Sequence, residues 1–285
     1  MSETHNHGHY YVPNPSPYPI LMGSGIFLLA LGFILNMNSF GLGFWTMIAG
    51  AALTVLVMYN WFVTVAGESM GGSYTKWEDK SFRIAMTWFI ASEVAFFAAF
   101  FGALFYMRII SVPGLAESNQ IWPALNGFAG TWPSDGPMGD KLFTPMGPWG
   151  LPAINTMLLL SSGATLTWAH WGLLANKRAQ LNIGLFLTVA LGAVFMCVQG
   201  YEYYHAYNDL GLTLGAGAYG ATFFMLTGFH GFHVTMGAIM LAVIWIRCLK
   251  GHFTPESHFG FEGVAWYWHF VDVVWLGLFI FVYWL

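Results

Sequence analysis

An all-α membrane protein with seven transmembrane helices is the fold class this sequence predicts, and three observations predict it. The 285 residues are 57% hydrophobic, 19% aromatic and only 8% charged, whereas a soluble domain carries about 25% charged residues. Too few polar groups remain to cover a water-facing surface. Seven apolar runs, 17–36, 43–66, 83–110, 151–172, 181–205, 218–247 and 263–285, each reach the roughly 20 residues a membrane helix needs. Their ends carry Tyr18, Trp45, Trp61, Trp149, Trp171, Tyr219 and Trp284, as interfacial aromatic belts do. The runs are continuous rather than alternating, which excludes a β-barrel.

The elements follow in order. Residues 1–16 form a polar tail rich in His and Pro, with His5, His7 and His9. It lacks the basic start of a cleavable signal peptide and reads as a solvated arm. Residues 17–66 hold spans one and two. Residues 67–82 are a charged hinge loop with Glu68, Lys76, Glu78, Asp79 and Lys80. Residues 83–285 hold spans three to seven, interrupted by a Pro/Gly-rich loop over 111–150 that carries Trp122, Trp132 and Trp149. Lys76, Lys80, Arg83, Lys177, Arg178, Arg247 and Lys250 fall on the N-terminal side of the membrane, against Arg108 and Lys141 on the other. That asymmetry predicts an N-terminus on the cytoplasmic or matrix side and a C-terminus outside. No internal repeat suggests a transporter of inverted halves. The net charge of −4 comes without a basic patch, so nucleic acid is not a predicted partner. Cys197 and Cys248 lie in apolar runs without a CxxC or CxxCH motif and read as buried thiols.

Within the spans, ionisable residues stand out, because each is costly in a bilayer unless it faces the bundle and pairs. Glu93 sits in IASEVAFFAAFF, about 15 Å into span three from Arg83. Span six carries His230 and His233 three residues apart; span seven carries His269 and Asp272 with the same spacing. Glu202 and His205 lie near the end of span five, and His170 near the end of span four. Four readings fit this set: a metal site, a bis-histidine haem, a proton relay, and hydrogen-bond glue between helices at roughly 0.6–2 kcal/mol per contact. There is no HExxH motif, and Asp272 is the acid beside the His pairs, which argues against a metal. Phe96, Phe97, Phe100 and Phe101 form a stripe at helical spacing, as packing does. Gly23, Gly25, Gly32, Gly50, Gly228 and Gly231 read as points of close helix approach.

FFMLTGFHGFHVTMG at 223–237 and HFGFEGVAWYWHFVDVVWLGLF at 258–279 resemble subunit III of the haem-copper cytochrome c oxidases. So do LPAINTMLLLSSGATLTWAHW at 151–171, SEVAFFAAFF at 92–101 and the opening VPNPSPYP. The resemblance covers essentially the whole chain. It implies two helix bundles, one–two and three–seven, splayed into a V that holds phospholipids. It implies no catalytic residue, metal or redox cofactor in this chain, with haems and copper in partner subunits. Subunit I is the direct partner, and subunit II and cytochrome c are reached through the complex. The role implied is to support proton uptake and active-site stability in subunit I of a proton-pumping aa3-type enzyme. Glu93 falls on the family's carbodiimide-reactive carboxyl, which implies a protonated acid in an apolar site. His230, His233, His269 and Asp272 are candidates for a buried polar cluster. Glu68, Arg83, Arg247 and Lys250 match lipid-headgroup positions. Two departures stand out: WFVT from Trp61 where the family often has Trp-Arg-Asp, and Tyr74-Thr75 in place of His-Thr. The long 111–150 loop suggests a bacterial inner membrane rather than a mitochondrial one. A quinol oxidase or nitric oxide reductase subunit is the alternative within the family, and a free-standing membrane metalloenzyme the alternative outside it.

Overall fold

The computed structural model describes residues 15–118, 128–137, 139 and 143–285. His5, His7, His9, Trp122 and Lys141 lie outside them. Seven long helices account for the seven expected spans: α1 Tyr18–Met37, α2 Gly43–Met70, α3 Lys76–Glu117, α4 Leu151–Leu174, α5 Arg178–Asn208, α6 Gly217–Leu249 and α7 Phe259–Trp284. Each of α3 and α7 contains a widened π-helical turn, at Tyr106–Ser111 and Phe279–Trp284. Among the described residues six helices are long and apolar enough to cross a membrane, and α4 is less apolar than these. Its 24 residues are long enough, but Asn155, Ser162 and Gly163 lie along its buried stripe, where they serve helix contact rather than lipid.

Two segments expected as loops are shorter than expected: helix takes up most of 67–82 and the start of 111–150. Of the charged stretch 67–82, only Gly71–Thr75 is non-helical. The charges are absorbed into helix ends: Glu78 and Asp79 fall in the first turn of α3, where acids complement the helix dipole. Glu78 accepts hydrogen bonds from the backbone and hydroxyl of Thr75, closing a cap. The outer loop likewise starts later than 111, because α3 continues to Glu117. Its described part packs down rather than dangling. Phe143 stacks on Tyr219 at 5.4 Å, and the Tyr219 N–H donates to the Ser134 carbonyl at 3.0 Å.

The chain divides into residues 1–82 and 83–285. In the first unit α1 and α2 form a hairpin in near backbone contact. A Cβ on Gly32 would fall 2.2 Å from the Met47 nitrogen, and one on Gly50 2.3 Å from the Leu29 nitrogen. Gly50→Ala is expected to cost about 1–3 kcal/mol through forced separation of the helices. The check is a lower melting temperature of the oxidase-bound chain in detergent; an unchanged value would remove the contact. Gly23 and Gly231 do not share this role, since a Cβ there would meet nothing within 4 Å, and at Gly228 it would meet only the Tyr203 hydroxyl at 3.8 Å.

In the second unit, neighbouring helices pack in sequence from α4 to α7, and α7 returns to α4. The hub is Trp268 of α7, fully buried. Its ring fits against Gly192 of α5 and Gly237 of α6, where an added Cβ would approach it to 2.9 and 2.8 Å. Its indole N–H donates to the Ser162 hydroxyl of α4 at 2.9 Å. From Arg83 onward α3 leans on α6 and α7 through aromatic side chains, including Phe96 on Phe229 at 5.1 Å and Phe97 on Phe270 at 6.1 Å. Cys248 is buried as expected, but Cys197 faces outward on α5.

Candidate functional site

Glu93 meets His233. Its Oε2 lies 2.8 Å from His233 Nε2, joining α3 to α6 across 140 residues of sequence. The other ring nitrogen, Nδ1, lies 2.6 Å from the Phe229 carbonyl one turn earlier on α6. A carbonyl oxygen only accepts, so Nδ1 carries a hydrogen. That fixes the chemistry at Nε2: one further proton is shared between imidazole and carboxyl. The pair is either a neutral acid donating to a neutral imidazole or an imidazolium–carboxylate pair, with zero net charge in both forms. The surroundings favour the neutral form. Phe97 lies 4.9 Å from the His233 ring, with Phe96 at 5.9 Å and Tyr267 at 6.4 Å. Separated charge is poorly solvated among such rings. The side chains are 21% exposed for Glu93 and 9% for His233, so the pair sits at the rim of the bundle rather than in its centre.

The other candidates do not converge on this pair. His230 is turned inward, 3.2 Å from the Val271 carbonyl, with its ring 5.1 Å from Trp275 and 6.1 Å from Phe195. Asp272 faces α4: its Oδ2 lies 3.6 Å from His269 Nδ1 and close against Gly163. His269 Nε2 reaches the Thr167 hydroxyl at 3.4 Å. The expected four-residue cluster is therefore three separate arrangements. The spacing of three within each helix fixed neither the angle of one helix about its axis nor which helix it faced. Among the described residues no group of three or more His, Cys, Asp or Glu side chains is placed to hold a metal ion.

The lipid-headgroup candidates also differ from one another. Glu68 accepts from the Tyr74 hydroxyl at 2.5 Å, so the residue that departs from the family pattern still engages this acid. Arg83 is ion-paired with Glu262 of α7. Arg247 lies over the Phe253 ring at 4.5 Å, with its Nε buried and no acceptor among the described residues. Lys250 is exposed just past the end of α6. Sequence reading passed over Gln199 and Asn155, which form a buried polar chain with Glu202 and Tyr283. Uncharged amides in an apolar run give little signal; only Glu202 was visible.

The family model "Cytochrome c oxidase subunit III" matches residues 7–285. Cytochrome c oxidase subunit 3 of Phoca vitulina is 40% identical over 284 residues, covering 99% of this chain and 98% of that protein. The subunit 3 of Marchantia polymorpha is 41% identical over 285 residues, covering 100% and 98%. With this breadth of similarity and with its long apolar helices, the chain belongs to the cytochrome c oxidase subunit III family and is a multi-pass membrane component of an oxidoreductase complex.

Proposed function

We propose that this chain is the non-catalytic, phospholipid-holding subunit of a proton-pumping aa3-type cytochrome c oxidase. It contacts subunit I directly and meets subunit II and cytochrome c only through the complex, while haems and copper stay in the partner subunits. It supports proton uptake by subunit I and preserves that subunit's active site as electrons pass from cytochrome c to oxygen. A bacterial plasma membrane with a cytoplasmic N-terminus is the proposed setting; the excess of Lys and Arg on one side and the long 111–150 loop support it.

One observation carries the lipid part of this reading. Arg247 ends an apolar helix with its guanidinium over the Phe253 ring, and the exposed Lys250 follows three residues later. A guanidinium so placed suits a phosphate oxygen, because charge-assisted bonds are the strong ones. Losing one such bond, at about 1.5–3 kcal/mol, corresponds to about tenfold or more in affinity. Arg247→Ala is therefore expected to lower phospholipid occupancy of the complex by about that factor in native mass spectrometry. Unchanged occupancy would remove the assignment.

A further inference from the structure

Besides Glu93 and Asp272, the chain holds another buried carboxyl within a long apolar helix. Glu202 of α5 is fully buried. Its Oε1 accepts the Tyr283 O–H at 2.6 Å and a Gln199 N–H at 3.3 Å. Gln199 in turn accepts from the Asn155 amide at 3.2 Å. This chain of bonds joins α5 to α4 and to the π-helical turn that ends α7. Glu202 Oε2 is buried and receives no hydrogen bond from the described residues.

We propose that Glu202 is a proton-holding site: a neutral carboxylic acid, with its proton on Oε2, that fastens the C-terminal turn of α7 to α5 and α4. Donor counting leads there. Both donors converge on Oε1, as they do on the carbonyl oxygen of an acid. An ionised carboxylate would spread its charge over both oxygens and leave Oε2 unsolvated, at large cost. Among the described residues His205 is the one cationic group that bears on such a charge, with no Lys or Arg beside it. The titratable neighbours are Tyr203 and His205 of α5, Tyr219 of α6 and Tyr283 of α7. α4 contributes only the Asn155 amide to the network. His205 is engaged with Asp209 at 2.6 Å. The aromatic wall is close: Phe223 lies 5.5 Å and Trp275 5.9 Å from the Tyr283 ring. The bond pattern is polarised in one direction, from Asn155 through Gln199 to Oε1, and a proton on Oε2 leaves it intact.

Infrared spectroscopy of the detergent-solubilised oxidase complex tests this. The wild-type minus Glu202→Gln difference spectrum is expected to show loss of one protonated-carboxyl C=O band, present from mildly acid to mildly alkaline pH. Loss of a pair of carboxylate bands instead, or of a C=O band seen only in acid, would overturn the proposal. Should Glu202→Gln not assemble, Tyr283→Phe provides the second reading. It removes the shortest bond to the acid carbonyl, so a C=O band should move to higher frequency. No change in that region would overturn the proposal just as firmly. Glu93→Gln, as a control, should leave the Glu202 band in place.

Discussion

Trp268→Ala is expected to destabilise the 83–285 unit by about 3–5 kcal/mol. The indole is fully buried and touches three other helices at once. Close approach at Gly192 and Gly237 leaves those positions with no side chain to move into the void. Helix association in lipid depends on close packing rather than on exclusion of water, so a void at the hub loses contacts that nothing replaces. Trp268→Phe separates packing from hydrogen bonding. It keeps most of the ring and loses the N–H donor to Ser162, whose hydroxyl still donates to the Leu159 carbonyl at 2.6 Å. The cost should then be about 1–2 kcal/mol. Loss of ellipticity on heating in detergent, with the amount of chain retained by the complex, measures both. Equal behaviour of the Ala variant and the wild type would show that Trp268 is not the hub.

Much of this was legible in the sequence, for a physical reason. A bilayer demands long apolar helices, so span number and approximate position follow from composition and run length. Loop boundaries were less legible, because helices run past the membrane into water. There the caps at Thr75 and Glu78 and the continuation of α3 to Glu117 depend on local bonds, not on hydropathy. The outward face of Cys197 shows the same limit: a lipid-facing thiol and a buried one look alike in an apolar run. The site was half legible. The unusual acid at Glu93 and the pairing of ionisable groups were predictable from cost alone. The choice of His233 over Asp272 was not, since it depends on how α3 and α6 are rotated about their axes. Gln199 and Asn155 were overlooked because an amide in a span has only a modest cost, so it does not announce its partner.

Glu93→Ala is expected to weaken the α3–α6 contact by about 2–4 kcal/mol, whereas Glu93→Gln should cost less than about 1 kcal/mol. The difference follows from the fixed hydrogen on His233 Nδ1. With that nitrogen committed to Phe229, a neutral Nε2 is an acceptor, and the acid O–H fills it. The Gln amide N–H can donate to the same atom from nearly the same place. Ala cannot, so it leaves an unsatisfied imidazole beside Phe97 together with a void. Initial oxidase turnover and protons pumped per electron should therefore be near wild type in Glu93→Gln. Glu93→Ala should loosen the chain from the complex and reduce the number of turnovers before inactivation. His233→Leu should resemble Glu93→Ala, and the double variant should cost clearly less than the sum of the two, because each single change already breaks the same bond. Three measurements decide it: initial rate, proton stoichiometry and turnovers before inactivation. Pumping abolished in an assembled Glu93→Gln complex would make the carboxyl an obligatory proton carrier. A fully additive double variant would show that the two side chains do not act as a pair.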